Sequence, residues 1–236
     1  MQRSNWRADA SLGRPVGLPS CPRLIQETTT QEQKGGCEVI IAICGPAASG
    51  KGTLARMLAE KLNLPHYDFG LLFRAIAFLS SRQNLDHVQS LVENRRLKYQ
   101  DSRIFLKWVE LTGRLTSEEV GLVAAKVASE NPGRIAELAC TMVKHQNFIC
   151  DGRTCGSEIY PDADLVFYIT ASQEERASRR IKEEEDRNHF KARESLDNQR
   201  TKIPTQAIVL DTTGKTKEEC LEEMISHLRM HHRFVL

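Results

Sequence analysis

Gly45-Pro46-Ala47-Ala48-Ser49-Gly50-Lys51-Gly52-Thr53 lies between an apolar run at 39–44 and a helical pattern at 53–62. A strand, a glycine loop and a helix in that order make a phosphate cradle. Glycines let successive backbone N–H groups and the positive end of the helix point at phosphate oxygens, and a lysine reaches the outer phosphates as a point charge. The residues assigned to that cradle are Gly45, Ala47, Ala48, Ser49, Gly50, Lys51, Gly52 and Thr53. The general pattern has Ser or Thr directly after the lysine to hold magnesium. Here Gly52 intervenes, so Thr53 becomes the candidate metal ligand.

In an open parallel sheet, ligands sit beyond the carboxyl ends of the strands, so polar residues there carry the chemistry. Asp68 and Arg74 flank Phe69-Gly70 after an apolar stretch at 64–67, and Asp151-Gly152-Arg153 follows another at 148–150. Asp151 would stand next to the magnesium position, touching the metal through water, with Arg153 beside it. Arg176, Arg179, Arg180, Arg187, Arg193 and Arg200 form a basic cluster further on. Phosphoryl transfer asks a protein for in-line positioning and for positive charge on the equatorial oxygens. Arginine forks grip phosphate in two places and suit that task better than lysines. Salt bridges to neighbouring glutamates are the competing use, more so for Arg187 than for Arg176.

These residues need a frame. Apolar runs at 39–44, 64–67, 148–150, 165–169 and 207–210 read as buried strands, with helical patterns between them. Helices are expected at 53–62, at 71–79, from a capping box at Thr116 to about Glu130, and from Arg134 after the break Asn131-Pro132-Gly133. Capping patterns at Ser172–Glu175 and Thr216–Glu219 open two more. The sum is an α/β protein with a five-stranded parallel sheet flanked by helices. Between 84 and 115 the texture changes to short strand-like pieces around Asp101-Ser102, which predicts a small antiparallel insertion.

Residues 1–36 are polar, rich in Pro and Gly and without period, and read as a disordered tail, with one domain over 37–236. Its core is expected at 37–83 and 131–236, the insertion at about 84–130. Charge is nearly balanced, at +2 with 27% charged residues, which argues against nucleic acid or a membrane surface as partner. No apolar run approaches the roughly 20 residues that span a bilayer. Seven cysteines occur singly, without metal-ligand or disulfide spacing, and suit a reducing cytoplasm. Cys150 and Cys155 flank a candidate active-site loop but read as small core hydrophobes. His231 and His232, lacking a third ligand, read as the solvated end of the last helix.

The loop 45–53, Asp68-Phe69-Gly70 with Phe73-Arg74, Asp151-Gly152-Arg153, and Glu175-Arg176-Ala177 with Arg179-Arg180 together resemble the cytidylate kinases, in family order and near family spacing over residues 38–229. The insertion carries a second signature of that family, Leu111-Thr112-Gly113-Arg114-Leu115-Thr116-Ser117-Glu118-Glu119-Val120. The resemblance implies a P-loop kinase fold with a helical lid at about 179–203. It also implies transfer of the ATP γ-phosphoryl group to a nucleoside monophosphate, with Mg²⁺ bridging donor oxygens, in a cytoplasmic monomer whose partners are small nucleotides. By the same resemblance, Arg74, Arg134 and Arg153 hold the acceptor phosphate. Arg193 and Arg200 act from the lid, Asp197 holds the acceptor ribose, and Arg179 lies near the donor nucleotide. Lys51, Arg153, Arg193 and Arg200 would be the catalytic set.

Three positions depart from the family pattern. Family members usually have Ser at Phe69, Ser at Ala125 and Asp at Thr154, the groups that read the cytosine edge. The phosphate grip is kept while the base readers are replaced, which implies relaxed base choice, with Phe69 available to stack on a base. The lid is also shorter than the family pattern between Arg180 and Arg193. Two alternatives follow: a kinase for another small phosphorylated acceptor, and a nucleotide-binding regulator that has lost catalysis.

Overall fold

The computed structural model describes residues 39–181 and 203–231. The expected tail, most of the lid and the chain end lie outside the described residues. Strands β1 (Ile40–Cys44), β2 (His66–Asp68), β6 (Phe148–Asp151), β7 (Leu165–Thr170) and β8 (Ile208–Asp211) form one parallel sheet in the order β2-β6-β1-β7-β8. All five expected strands are there. Helices α1 (Lys51–Leu62), α2 (Phe69–Ser80), α5 (Glu118–Glu130), α6 (Pro132–Thr141), α7 (Gln173–Ile181) and α8 (Lys217–Met230) flank it.

The alternation of side chains along the central strands shows why both faces must be covered. Ile40, Ala42 and Cys44 of β1 join a core with α2, α5 and α6, while Ile41 and Ile43 join a second core with α1 and α8. β7 divides likewise: Val166 and Tyr168 go to the first core, Leu165, Phe167 and Ile169 to the second. A strand apolar on both faces reads as a continuous hydrophobic run, which is how β1 and β7 appear in the sequence. The chain leaves β1 toward one edge and later returns on its other side at β7. The crevice beyond the carboxyl end of β1 is therefore the switch point at which such sheets bind ligands.

The insertion holds a second sheet, β3 (Leu97–Gln100), β4 (Arg103–Leu106) and β5 (Val109–Glu110), antiparallel as expected. Tyr99 ties it to the main sheet. Its hydroxyl accepts from the Asp68 N–H at 3.0 Å, and its ring stacks on Tyr67 at 5.3 Å between centroids. The sequence reading missed α3 (Leu85–Glu93), which Asn84 caps by accepting from the His87 N–H. Val88, Leu91 and Val92 bury one face of it, a short helical period hidden in a polar stretch. A short helix α4 (Thr112–Leu115) precedes α5, and Ser117 rather than Thr116 caps α5, accepting from the Val120 N–H. Asn131-Pro132-Gly133 does end α5, but α6 begins within it at Pro132, because proline suits the first helical turn, where no N–H partner is needed.

Candidate active site

The phosphate loop runs from β1 into α1 against the end of β7. Gly45 has φ of +144°, and a Cβ there would lie 2.0 Å from the Ile169 carbonyl oxygen, so only glycine lets the loop cross β7 this closely. Gly50, at φ +89°, turns the chain into α1. Ala48 also takes a left-handed conformation, at φ 59°. No side chain caps α1, whereas Asp68, Asn84, Ser117 and Thr216 cap α2, α3, α5 and α8. The N-terminus of α1 thus meets the loop at a residue with no side chain, the kind of helix start that binds anions. Lys51 opens α1, and its ammonium donates to the Pro46 carbonyl at 3.2 Å. The Ser49 hydroxyl is buried without a hydrogen-bond partner among the described residues, an orphaned polar atom inside the loop.

Arg179 comes from α7 to this loop. Its guanidinium donates to the Ala48 carbonyl at 3.4 Å, to the Thr212 hydroxyl at 3.0 Å and to the Thr212 carbonyl at 3.1 Å, while Nε reaches Glu175 at 3.2 Å. Thr212 in turn donates to the Ser49 carbonyl at 3.1 Å. A cation is thus fixed beside the loop by the ends of β8 and α7. Arg176 is buried, and its Nε donates to the Ala171 carbonyl at 3.2 Å.

Across the loop, Asp68 and Asp151 are register partners on adjacent strands β2 and β6. Asp151 is buried, and an atom added at Gly52 would lie 3.4 Å from its Oδ2. The glycine that separates Lys51 from Thr53 therefore faces this carboxylate. Burial first, and the Asp151 charge second, push the Asp68 carboxyl above its ordinary range, while its bond from the Leu71 N–H and the nearby Arg74 pull the other way. The other Asp151 oxygen meets His66 Nε2 at 2.7 Å, with both side chains 6% exposed. His66 Nδ1 is buried without a hydrogen-bond partner among the described residues. The sequence reading missed His66. Its signal is the strand period, because two residues before Asp68 is the same face of β2. The oxygens of Thr53, exposed at the start of α1, and of Asp151 are hard donors of the kind that fit Mg²⁺.

On the acceptor side the expected residues are only partly brought together. Arg74, Arg153 and Thr154 follow β2 and β6 and are half-buried. Thr154 leads into a π-helical turn, Cys155–Ile159, and its carbonyl accepts from the N–H groups of Glu158 and Ile159 at 2.9 and 3.2 Å. Arg134 is held differently. Its guanidinium bonds Asp86 of α3, and Gln89 at 3.2 Å, contacts that the unpredicted α3 supplies. Phe69 is also placed otherwise than expected. It is 1% exposed, with its ring edge-on to Phe73 and Tyr160 at centroid distances of 6.2 and 5.7 Å, so it packs the core instead of offering a face to a base. Ala125 is half-buried on α5. Arg193, Asp197 and Arg200 lie outside the described residues. Cys44, Cys150 and Cys155 are buried free thiols, and burial pushes Cys44 up to about 11 and raises Cys155 well above the ordinary range. They behave as core hydrophobes.

Comparisons with known proteins show which family the chain resembles. The family model described as cytidylate kinase matches residues 41–230. A cytidylate kinase of Clostridioides difficile is 32% identical, covering 81% of this chain and 99% of that protein. One of Aquifex aeolicus is 33% identical, covering 78% and 93%. Among solved structures, TT1252 from Thermus thermophilus aligns with a TM-score of 0.46 at 17% identity over 82% of this chain and 97% of that one, too distant to add weight. With the phosphate loop, the flanking carboxylates and the arginine at the loop's back in place, the chain belongs to the cytidylate kinase family of ATP-dependent nucleoside monophosphate kinases.

Proposed function

We propose that the chain transfers the γ-phosphoryl group of ATP to CMP or dCMP, and that its base choice is broader than the family pattern. The observation that carries the reading is the phosphate loop, with Lys51 at the start of an uncapped α1 and Asp151 facing Gly52. Lys51 and the N–H groups of the loop bind the donor phosphates and stabilise charge on the transferring group. Arg179 orients the back of the loop. Arg74 and Arg153 hold the acceptor phosphate, and Arg134 joins them once it leaves Asp86. Arg193, Arg200 and Asp197 complete the site by family resemblance. Thr53, and Asp151 through water, would hold Mg²⁺, which would neutralise charge on the donor oxygens. The domain limits, a cytoplasmic location and a monomeric state belong to the same proposal.

Broader base choice is supported by the replaced readers. Phe69 is enclosed in the core and Ala125 carries no polar group, so neither leaves a buried donor or acceptor unpaired when the wrong base enters. The test is a panel of CMP, dCMP, UMP and AMP with ATP and Mg²⁺, read as diphosphate formed. Comparable kcat/KM for CMP and UMP supports the reading. A hundredfold preference for CMP overturns the broad choice, and no transfer to any of them returns the regulatory alternative.

A further inference from the structure

The small antiparallel sheet carries a feature that phosphoryl transfer does not use. Trp108, in the β4–β5 turn, is 92% exposed and forms one wall of a cavity of about 340 Å³. Its other walls are Arg95, Arg96, Lys98 and Lys107, so one indole and four cations line it, without a carboxylate. The neighbouring acids are engaged elsewhere: Glu93 accepts from Gln89 at 2.8 Å, and Glu110 pairs with Arg103 at 3.7 Å. Lys98 Nζ stands 5.9 Å from the indole centroid. Arg95 and Lys107 adopt φ of 54° and 57°, a conformation that bulky side chains avoid and that persists where the surroundings enforce it. The Lys107 N–H donates to the Arg96 carbonyl at 2.5 Å, which closes the turn before β3 onto the turn after β4.

We propose that this cavity is a second nucleotide site, taking a nucleoside di- or triphosphate with its base against the Trp108 face and its phosphates among the four cations. The volume falls within the roughly 300–1,000 Å³ of small-molecule sites. A single-stranded nucleic acid calls for successive stacking platforms, and the cavity has one. A membrane calls for an apolar area, and beside Trp108 only Val109, 57% exposed, extends the apolar surface of this turn. The charge of the cavity is complementary to a polyphosphate, and the indole supplies the stacking that distinguishes a nucleotide from inorganic phosphate. None of its residues belongs to the phosphate loop.

The chain has two tryptophans, so a Trp6→Phe protein reports emission from Trp108 alone. ATP and inorganic tripolyphosphate are titrated into this protein and into its Lys51→Ala derivative. The expected result is saturable quenching by one equivalent of ATP in both, with tripolyphosphate binding roughly tenfold more weakly because it cannot stack. Adding Arg96→Glu and Lys98→Glu should abolish the quenching in both, and in the protein that keeps Lys51 should leave turnover at the phosphate loop unchanged. The proposal is overturned by absence of quenching at millimolar ATP, by equal binding of tripolyphosphate, or by quenching that survives the charge reversals. Binding of a single-stranded oligonucleotide or of anionic vesicles a hundredfold tighter than ATP would also overturn it.

Discussion

Phe69→Ser restores the residue type that the family pattern expects, and the structure turns this apparent repair into damage. The ring is fully enclosed, edge-on to Phe73 and Tyr160, and a Cβ built at Gly152 would come within 3.2 Å of its own Cβ. Removing a buried phenyl ring costs about 3–5 kcal/mol in transfer free energy and residual cavity. Two edge-to-face pairs, each worth about 0.5–1.5 kcal/mol beyond area, place this site at the upper end. The serine hydroxyl then adds a buried polar group. At about 2–4 °C per kcal/mol for a domain of this size, the melting temperature should fall by about 10–20 °C. The assay is thermal denaturation beside kcat/KM for CMP and UMP. The variant should be strongly destabilised and should not gain discrimination between the two bases. A stable variant that prefers CMP would refute the reasoning, because it would show that position 69 still addresses the base.

Gly45→Ala drives a Cβ to 2.0 Å from the Ile169 carbonyl, so the loop must leave β7; ATP binding at the phosphate loop, measured by calorimetry in an Arg96→Glu/Lys98→Glu background, should be lost even where a folded fraction survives. His66→Leu leaves a buried Asp151 oxygen without its partner and should cost about 1.5–3 kcal/mol in denaturant melts, with His66→Gln recovering part of it. Thr216→Ala removes the hydroxyl half of the α8 capping box, leaves the bond from the residue 216 N–H to the Glu219 carboxylate, and should cost about 1 kcal/mol. In the same box, hydrogen bonds from the Thr216 backbone and side chain hold Glu219 below its ordinary range. A depressed carboxyl stabilises the fold above its unfolded pKa and loses that contribution as pH falls through the folded value. The melting difference between the parent and Glu219→Gln should therefore shrink on acidification below the ordinary Glu range, and a constant difference would refute the assignment.

The sequence made the main sheet legible because its central strands β1, β6 and β7 are buried on both faces and read as continuous apolar runs, and because turn or cap residues bound the strands. Ser172, whose hydroxyl accepts from the Glu175 N–H, and Thr216 declare their helices outright. The phosphate loop is local chemistry, three glycines and a lysine between a strand and a helix, and such a site reads directly. The acceptor side reads less well because its geometry depends on long-range partners. Arg134 is bonded to Asp86 across 48 positions, and His66 meets Asp151 across 85. Phe69 gave the wrong impression for a related reason. A substitution at a base-reading position looks like a change of ligand until the packing of Tyr160 and Phe73 shows it filling the core.

The central claim is that the phosphate loop donates phosphoryl groups to a monophosphate acceptor. A single-turnover experiment with ATP labelled at the γ-phosphate, excess enzyme and CMP tests it most directly. The label should appear at the β position of the diphosphate, at a rate reduced at least a hundredfold in Lys51→Ala. Equal rates in parent and variant, or label released only as inorganic phosphate, would contradict it.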